Sequence, residues 1–261
     1  MRIEGKQIVI TGASSGIGEQ MAYEVAKRKA IPILLARNEK KLADMAEHIQ
    51  QTYSVPCRYE ALDVSDITAV EATFHKLLQE MEIDVLVNNA GFGVFRHIED
   101  IDLTEAEKML EVNVLGMIAC TKAVYSHMIN RRSGHIINIA SQAGKMATPK
   151  SSVYAATKHA VLGFTNSLRM EAAQHGVFVT AVNPGPIATS FFAIADSSGS
   201  YVKNIEKWML RPEAVARRVV DVMMTPAREV NMPGWMSVGS RLYQLVPSLV
   251  EKVAKRAFFQ K

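Results

Sequence analysis

The sequence predicts an α/β protein built on one doubly wound, mostly parallel, seven-stranded sheet with helices on both faces. Three observations carry this prediction: short apolar runs alternate with helical patterns, most of the runs are uniformly apolar although Cys57–Leu62 is weaker by pattern, and polar motifs follow the strand ends. Strands that alternate with helices are joined by right-handed crossovers and run parallel. Strands that are apolar on both sides are covered on both faces, as in doubly wound sheets.

Seven strands and five helices are predicted in order, and a length of 261 residues fits one domain over residues 1–261. β-Branched residues and flanking Gly and Ser clusters mark the strands. The predicted strands are Ile8–Ile10, Ile31–Ala36, Cys57–Leu62, Asp84–Val87, His135–Ala140, Phe178–Val182 and Glu229–Met232. The predicted helices are Ile17–Lys29, Glu39–Thr52, Ile67–Met81, Glu105–Arg131 and Ser151–His175.

Composition excludes several classes of protein. Hydrophobic residues make up 48% and charged residues 21%, which argues against disorder. A formal charge of +4 is too small to indicate nucleic-acid binding, so no nucleic-acid partner is expected. Cys57 and Cys120 have no metal-site or redox spacing, so we expect reduced packing cysteines and no metal.

The N-terminal residues show no secretory signal. The first apolar run, Gln7–Thr11, is too short for a signal-peptide core, and no stretch approaches about 18 uninterrupted apolar residues. We therefore expect a cytoplasmic protein.

A glycine-rich loop, Thr11–Gly18, joins the first strand to the first helix with the spacing G-x-x-x-G-x-G. Gly12 permits a tight turn, Gly16 allows the backbone to approach a pyrophosphate, and Gly18 lets helix and strand pack closely. Such a loop alone can be a structural turn, but its position favours phosphate binding at the helix N-terminus. The residues assigned to cofactor binding here are Gly12, Ser14, Ser15, Gly16, Ile17 and Gly18.

The end of the second strand points to NADP(H) as the cofactor. NAD sites usually place an acid there to bind the ribose 2′-hydroxyl, whereas this chain has Ala36 followed by Arg37. A guanidinium can bind a 2′-phosphate through two hydrogen bonds. The alternative is that Arg37 stacks on the adenine and serves either cofactor.

Tyr154 and Lys158 are predicted on one helical face because they are four residues apart. A phenol with an ordinary pKa near 10 is a poor acid at neutral pH, but a nearby ammonium lowers that pKa. Ser141 follows a strand and could hold a substrate carbonyl beside the tyrosine. Asn113, in an apolar helical turn, could hold a proton-relay water or be a structural amide that distorts the helix.

Together these residues resemble the short-chain dehydrogenase/reductase family over about residues 5–235. The resemblance rests on Thr11–Gly18, Asp63-Val64, Asn88–Gly91, Asn113, Ser141, Tyr154, Lys158 and Asn183–Gly185, in the order of the family. It implies a single Rossmann-type fold and hydride transfer between a nicotinamide and a carbonyl or alcohol.

The resemblance also implies individual roles. Asp63 and Val64 would contact the adenine, Asn89, Ala90 and Gly91 the cofactor's ribose side, and Pro184, Gly185, Ile187 and Thr189 its carboxamide and pyrophosphate side. Tyr154 would be the acid/base, Lys158 would bind the nicotinamide ribose, Ser141 would orient the substrate, Asn113 would hold the relay water, and Asn88 would stabilise the central strands. Ser15 stands where many NADP enzymes of the family carry a basic residue, which leaves the 2′-phosphate mostly to Arg37.

By the same resemblance residues 190–209 form a substrate lid. It contains Phe191, Phe192, Tyr201 and Trp208, which favour an apolar carbonyl substrate. Phe191 and Phe192 are therefore predicted to bind substrate. The alternative is that these aromatic residues only pack the lid on the core.

The C-terminal residues 241–261 form a basic amphipathic tail interrupted by Pro247. The tail could pack against a partner subunit, pack on its own domain over the active site, or lie on a membrane surface. We expect a homodimer or homotetramer.

Two other functions remain open for the same fold. One is a non-redox epimerase or lyase, which the lack of a sizeable C-terminal substrate domain disfavours. The other is a non-catalytic cofactor-sensing protein, which the complete set of Asn113, Ser141, Tyr154 and Lys158 disfavours.

Overall fold

A seven-stranded parallel sheet forms the centre of the protein. The computed structural model describes residues 2–196, 203 and 205–258. The strand order is β3-β2-β1-β4-β5-β6-β7, and every neighbouring pair is parallel, which confirms the predicted sheet. The strands are β1 (Gln7–Thr11), β2 (Ile31–Ala36), β3 (Arg58–Ala61), β4 (Val85–Asn88), β5 (Gly134–Ile139), β6 (Val177–Pro184) and β7 (Glu229–Met232).

The order in which strands are added to the sheet reverses between β1 and β4, although all strands stay parallel. The first three strands are laid down in one direction from β1, and β4 then starts on the other side of β1. A reversal of this kind opens a crevice at the carboxyl ends of the two strands, where ligands bind in such sheets. The topology therefore places the loops after β1 and β4 at the edge of the sheet where ligands bind.

Helices cover both faces of the sheet. One core cluster buries Met21, Ile49 and Val219 against one face, and the other buries Phe74, Val124 and Leu168 against the opposite face. The described helices are α1 (Gly16–Lys27), α2 (Glu39–Tyr53), α3 (Ile67–Glu80), α4 (Leu103–Leu110), α5 (Met117–Asn130), α6 (Ser152–Ala173), α7 (Phe191–Ala195), α8 (Pro212–Asp221), α9 (Gly234–Leu245) and α10 (Pro247–Phe258).

The predicted helix Glu105–Arg131 is continuous but changes its hydrogen-bonding register. A π-helical turn, Glu111–Gly116, separates α4 from α5. Such turns insert a residue into an α-helix and are frequent at functional sites. Asn113 lies within this turn.

The C-terminal region is more helical than predicted. α9 begins seven residues before the predicted tail, and Pro247 starts α10, a position that proline favours because its fixed φ suits the first helical turn. Of the predicted lid 190–209, residues 197–202 and 204 lie outside the described residues, as do 259–261 of the tail. No helix in the described part of the chain is long and apolar enough to cross a membrane.

Candidate active site

The loop between β1 and α1 has a backbone that requires glycine at two positions. Gly12 and Gly16 have φ values of +63° and +57°, a region that residues with a Cβ rarely adopt. A Cβ on Gly12 would also lie 2.8 Å from the Cα of Ala90. Ser15 supplies no side-chain cap to α1, so the first N–H groups of this helix keep their capacity to bind an anion.

Hydrogen bonds join this loop to the loop after β4. Thr11 Oγ1 accepts from the backbone N–H groups of Asn89 and Ala90, each at 3.0 Å. Asn89 Nδ2 donates in return to the carbonyl oxygens of Thr11 and Gly12, at 2.9 and 3.1 Å. The two edges of the crevice are therefore held at a fixed separation.

Asn88, at the end of β4, ties the central strands together. Its Nδ2 donates to Asn138 Oδ1 on β5 at 2.8 Å and to Thr121 Oγ1 on α5 at 2.9 Å. This arrangement matches the stabilising role that the family resemblance implies for Asn88.

Arg37 lies at the β2 edge of the crevice with 80% of its side chain exposed, and its Nη1 is 3.9 Å from Asp63 Oδ2. Burial alone would raise the pKa of Asp63, but Ser65 donates from Oγ and N to Oδ1. These bonds, with the nearby guanidinium, hold that pKa below its ordinary value. Asp63 is therefore ionised, and Arg37 remains accessible to an incoming anion.

Tyr154 and Lys158 are adjacent on the N-terminal part of α6, with only 8% and 6% of each residue exposed. Lys158 Nζ lies 5.8 Å from the centroid of the Tyr154 ring and donates to the carbonyl oxygen of Ile139 at 2.9 Å. Burial lowers the pKa of Lys158 to about 8. The amine is thus mostly charged at neutral pH beside a buried phenol.

Ser141 begins a short 3₁₀ turn, Gln142–Gly144, immediately after β5. Its Oγ accepts from Ala143 N at 3.0 Å, which leaves the hydroxyl proton available to another acceptor. The turn is fixed to the end of the sheet because Gln142 Nε2 donates to the carbonyl oxygen of Asn183 at 2.9 Å.

Lys145 fixes the same turn from its other end. Its Nζ donates to Glu229 Oε2 and, at 3.0 Å, to Asn231 Oδ1, both on β7. The turn that carries Ser141 is therefore held by β6 and β7 together.

Asn113 is 2% exposed and makes three hydrogen bonds within the protein. Its Oδ1 accepts from Phe92 N at 3.0 Å, and its Nδ2 donates to Phe92 O at 2.8 Å and to Thr157 Oγ1 at 3.1 Å. In this structure Asn113 connects the loop after β4 to α6, and it does not line the cleft. This placement favours the structural interpretation, although Oδ1 retains a second lone pair for a water.

Aromatic side chains surround Tyr154. The ring centroid of Phe95 lies 5.7 Å from that of Tyr154, 6.3 Å from Phe191 and 6.2 Å from Phe192. The backbone N–H of Phe95 donates to the carbonyl oxygen of Ala195, so the loop after β4 and α7 are paired. We call Phe95, Phe191 and Phe192 the aromatic wall.

One cleft of about 630 Å³ runs along the carboxyl ends of the strands and contains most of the predicted residues. Of the predicted residues, Gly18 and Asn113 are not among those that line it. A Cβ on Gly18 would collide with the carbonyl oxygen of Gly12, so this glycine serves the packing of α1 on the loop. The predicted residues that line the cleft are Gly12, Ser14, Ser15, Gly16, Ile17, Arg37, Asp63, Val64, Asn89, Ala90, Gly91, Ser141, Tyr154, Lys158, Pro184, Gly185, Ile187, Thr189, Phe191 and Phe192.

Several lining residues were not identified from the sequence. Phe92 and Phe95 follow directly after the Asn88–Gly91 motif, so their apolar character beside that motif was an available signal. Met236 gave no such signal, because it reaches the cleft on α9, about fifty residues after β6. Gln142, Met146, Thr148 and Ser151 line the cleft on the loop between β5 and α6.

Comparison with known proteins agrees with this geometry. The family model described as short chain dehydrogenase matches residues 6–198. The chain is 35% identical over 227 residues to a Schizosaccharomyces pombe protein named NADP-dependent 3-hydroxy acid dehydrogenase, covering 84% of this chain and 87% of the relative. It is 32% identical to a Drosophila melanogaster dehydrogenase/reductase SDR family protein 7-like, covering 98% of this chain and 82% of the relative.

A solved structure shows the same fold with a nucleotide bound. It is an alcohol dehydrogenase from the archaeon Thermococcus sibiricus complexed with 5-hydroxy-NADP, and the two chains superpose with a TM-score of 0.77. The identity is 29%, and the match covers 87% of this chain and 95% of the archaeal chain.

Proposed function

Because the chain belongs to the short-chain dehydrogenase family, we propose that it is an NADP(H)-dependent oxidoreductase acting on a carbonyl/alcohol pair. The observation that carries this proposal is the buried pair of Tyr154 and Lys158, which faces the same cleft as the glycine loop. NADP(H), when bound, supplies or accepts the hydride. The residues of this chain hold the reactants and move the proton.

The residues at the β1–β2 end of the cleft fit NADP(H). Gly12 and Gly16 leave backbone without side chains where a pyrophosphate would approach, and α1 offers uncapped N–H groups. Ala36 ends β2 without a carboxylate, and Arg37 beside it is exposed and cationic. The S. pombe relative is named NADP-dependent and the T. sibiricus structure contains a modified NADP, which supports the same choice.

The remaining cofactor contacts follow from the family resemblance and from the lining of the cleft. We propose contacts from Ser14, Ser15, Ile17, Asp63, Val64, Asn89, Ala90, Gly91, Pro184, Gly185, Ile187 and Thr189.

Tyr154 is the proposed general acid and base. Its hydroxyl gives a proton to the carbonyl oxygen during reduction and takes it back during oxidation. The Lys158 ammonium favours the phenolate form of Tyr154 electrostatically, which assists the transfer of this proton. Ser141 donates its free hydroxyl proton to the same oxygen and orients it, and Asn113 holds the loop and helix that bear these groups.

The substrate end of the cleft suits an uncharged apolar carbonyl compound. The aromatic wall and Phe92 surround Tyr154, and the charged lining residues among those described are Arg37, Asp63 and Lys158. Arg37 and Asp63 lie at the cofactor end. Lys158 is the cation beside Tyr154 among the described lining residues, but it donates to the carbonyl oxygen of Ile139 and is proposed to bind the nicotinamide ribose, so it is not dedicated to a substrate carboxylate. We therefore propose a different substrate preference from the 3-hydroxy acids for which the S. pombe relative is named.

The test is to replace Tyr154 by Phe and to measure NADPH oxidation with a panel of ketones, aldehydes, sugars, and a 3-oxo acid with its ester. We expect kcat to fall by about 10²-fold or more, because only the acid/base hydroxyl is removed, while NADPH binding is retained. Tyr59→Phe is the matched control, since Tyr59 is 37% exposed on β3, away from the cleft. We expect the ester and apolar ketones to be better substrates than the 3-oxo acid or the sugars.

Two results would contradict the proposal. If Tyr154→Phe turns over at the wild-type rate, the tyrosine is not the acid/base. Turnover without net NADPH consumption would favour the epimerase or lyase alternative.

Other sequence predictions remain predictions. These are one domain over residues 1–261, the substrate lid 190–209, a cytoplasmic location, and a homodimer or homotetramer.

A further inference from the structure

We propose that the C-terminal helix pair is a docking surface for anionic lipid bilayers. Fifteen large apolar side chains are exposed in the described part of the chain, and eight of them belong to Trp208 or to the segment Trp235–Val253. We call these eight the C-terminal apolar surface. Exposed apolar patches of this concentration mark interaction sites in globular proteins.

The apolar residues of α9 face away from the body of the protein. Successive helical residues advance by about 100°, so spacings of three, seven and ten residues fall within an arc of about 80°. The side chains at these spacings are Trp235, Val238, Leu242 and Leu245, which are 60%, 69%, 51% and 80% exposed. On the opposite side Ser240 is buried and Met236 contacts the loop after β6, so α9 packs through one side and presents an apolar stripe on the other.

α10 also exposes apolar side chains. Leu249 and Val253 are four residues apart, hence on one helical face, and they are 58% and 79% exposed. Pro247 starts α10 directly after α9, and the two helices contact each other. Two short helices in contact, each with an exposed apolar face, can enter the headgroup region together.

Both tryptophans of the chain lie at this surface. Trp208 and Trp235 are 65% and 60% exposed and their rings meet edge to face, with centroids 6.1 Å apart. Indole rings prefer the boundary between water and hydrocarbon, where the ring is apolar and the N–H is hydrated. A pair of exposed indoles at one end of an apolar helix surface matches that boundary.

Charge selects a lipid surface over a second copy of this chain. Residues 234–258 carry four basic residues, Arg241, Lys252, Lys255 and Arg256, against the single acidic residue Glu251. A two-fold dimer would bring the same basic segments together, and the centres of stable interfaces are depleted of charge. Anionic headgroups instead complement the cations while the acyl region accepts the apolar side chains.

The helix that carries the apolar stripe also borders the cleft. Met236, next to Trp235, lines the cleft. An apolar substrate dissolved in the bilayer would therefore meet the cleft beside the lipid surface. This last consequence rests on the proposed function, whereas lipid docking does not.

Vesicle binding tests the proposal with the full chain. The vesicles are phosphatidylcholine alone and phosphatidylcholine with about a third phosphatidylserine, and the readouts are flotation and intrinsic tryptophan emission. Because the chain has two tryptophans and both lie at this surface, its emission reports on docking directly. We expect co-flotation and a blue shift with the anionic vesicles, both weakened by about 0.5 M salt.

A matched pair of variants assigns the binding to this surface. Leu245→Glu combined with Leu249→Glu places two charges in the apolar surface and should weaken binding to anionic vesicles at least about tenfold. Leu103→Glu is the control, because Leu103 is 79% exposed on α4 and should leave binding unchanged. NADPH oxidation with a water-soluble ketone, measured without vesicles, should be the same in all three proteins and so shows that each is folded.

Three results would overturn the proposal. The first is that wild type neither floats nor shifts its emission. The second is that the double variant binds as wild type does. The third is that wild type does not bind vesicles and that the double variant has half the molar mass of wild type by light scattering. This result would assign the surface to a second copy of this chain.

Discussion

Arg37 is the residue that should decide between NADP(H) and NAD(H). Its guanidinium is exposed and can bind a 2′-phosphate, whereas an aspartate there would repel the phosphate and accept a ribose hydroxyl. We expect Arg37→Asp to lower the ratio of kcat/KM for NADPH over NADH by at least about tenfold. The measurement is steady-state kinetics with both cofactors.

The control for Arg37 is Arg211→Asp, since Arg211 is also highly exposed but does not line the cleft. This variant should keep the wild-type ratio. An unchanged ratio in Arg37→Asp would support the alternative in which Arg37 stacks on the adenine.

Lys158 makes the free energy of unfolding depend on pH in the alkaline range. Burial lowers its pKa to about 8 in the folded protein, against 10.5 for an unperturbed lysine. Between these values the unfolded chain binds more protons, so stability rises as pH rises from 8 to 10.5. Below pH 8 the penalty for the buried charge is fully present.

Replacing Lys158 by Met should remove this dependence. The free energy of unfolding of wild type, relative to Lys158→Met, should rise by about 2 kcal/mol between pH 7 and pH 10. Urea titrations of the cofactor-free proteins measure this, and Lys122→Met, an exposed position on α5, is the control. A constant difference between wild type and Lys158→Met would mean that Lys158 is hydrated.

The π-helical turn between α4 and α5 contributes to the site through one side chain, that of Asn113. It places Asn113 where its amide bonds both backbone groups of Phe92 and the hydroxyl of Thr157. Without it, the loop that carries Phe95 of the aromatic wall would lose the hydrogen bonds that join it to α6 through Asn113. The turn therefore positions the surroundings of Tyr154 without lining the cleft.

Asn113→Ala should lower the free energy of unfolding by about 1–3 kcal/mol, because two partly buried backbone groups of Phe92 and the buried hydroxyl of Thr157 lose a partner. It should also raise the KM for ketones, since the loop after β4 loosens. Chemical denaturation and steady-state kinetics measure the two effects, with Asn130→Ala at the exposed end of α5 as control. If Asn113→Ala has the same free energy of unfolding as wild type, the prediction is wrong and water replaces the hydrogen bonds of the amide fully.

The sequence predicts the strands and the helices up to α6 well, but it predicts neither α8 nor the irregular elements. A strand that is buried on both faces is apolar throughout, so a β-branched run such as Ile8–Ile10 identifies a strand from its own residues. The π turn leaves no trace, since one inserted residue barely changes an apolar helical pattern over residues 105–131. The sequence does not predict α9 either. The apolar residues of this helix are exposed, so they do not form the buried face by which an amphipathic helix is recognised.

At the scale of the whole molecule, the site depends on chain order across the sheet. The connection from β3 to β4 places β4 beside β1, which brings together loops that are about eighty residues apart, and Thr11 joins them by hydrogen bonds. Motif positions at strand ends were sufficient to predict most of this cleft, because carboxyl ends of parallel strands share one edge. They could not predict Met236, whose place depends on how α9 packs.

The whole sheet should also lose stability in acid through His135, which joins β5, β6 and the segment after α8. His135 is fully buried, its Nδ1 accepts from Met224 N at 2.9 Å, and its Nε2 is 2.8 Å from Thr180 Oγ1. Thr180 Oγ1 donates its own proton to Ala227 O, so Nε2 carries the hydrogen and the ring is neutral. Burial lowers the pKa of His135 to about 3.

Between pH 6.5 and pH 3 the unfolded chain binds a proton at His135 that the folded protein excludes, so stability falls as pH falls through this window. Relative to the non-titrating variant His135→Gln, wild type should lose about 2 kcal/mol of unfolding free energy between pH 7.5 and pH 5. Urea titrations at the two pH values measure this difference, and the comparison cancels the carboxylates that both proteins share. His75→Gln, at an exposed position on α3, should keep the full wild-type dependence. The prediction is wrong if the difference in unfolding free energy between wild type and His135→Gln is the same at both pH values. The imidazole would then accept a proton in the folded protein, which its burial between β5 and β6 should prevent.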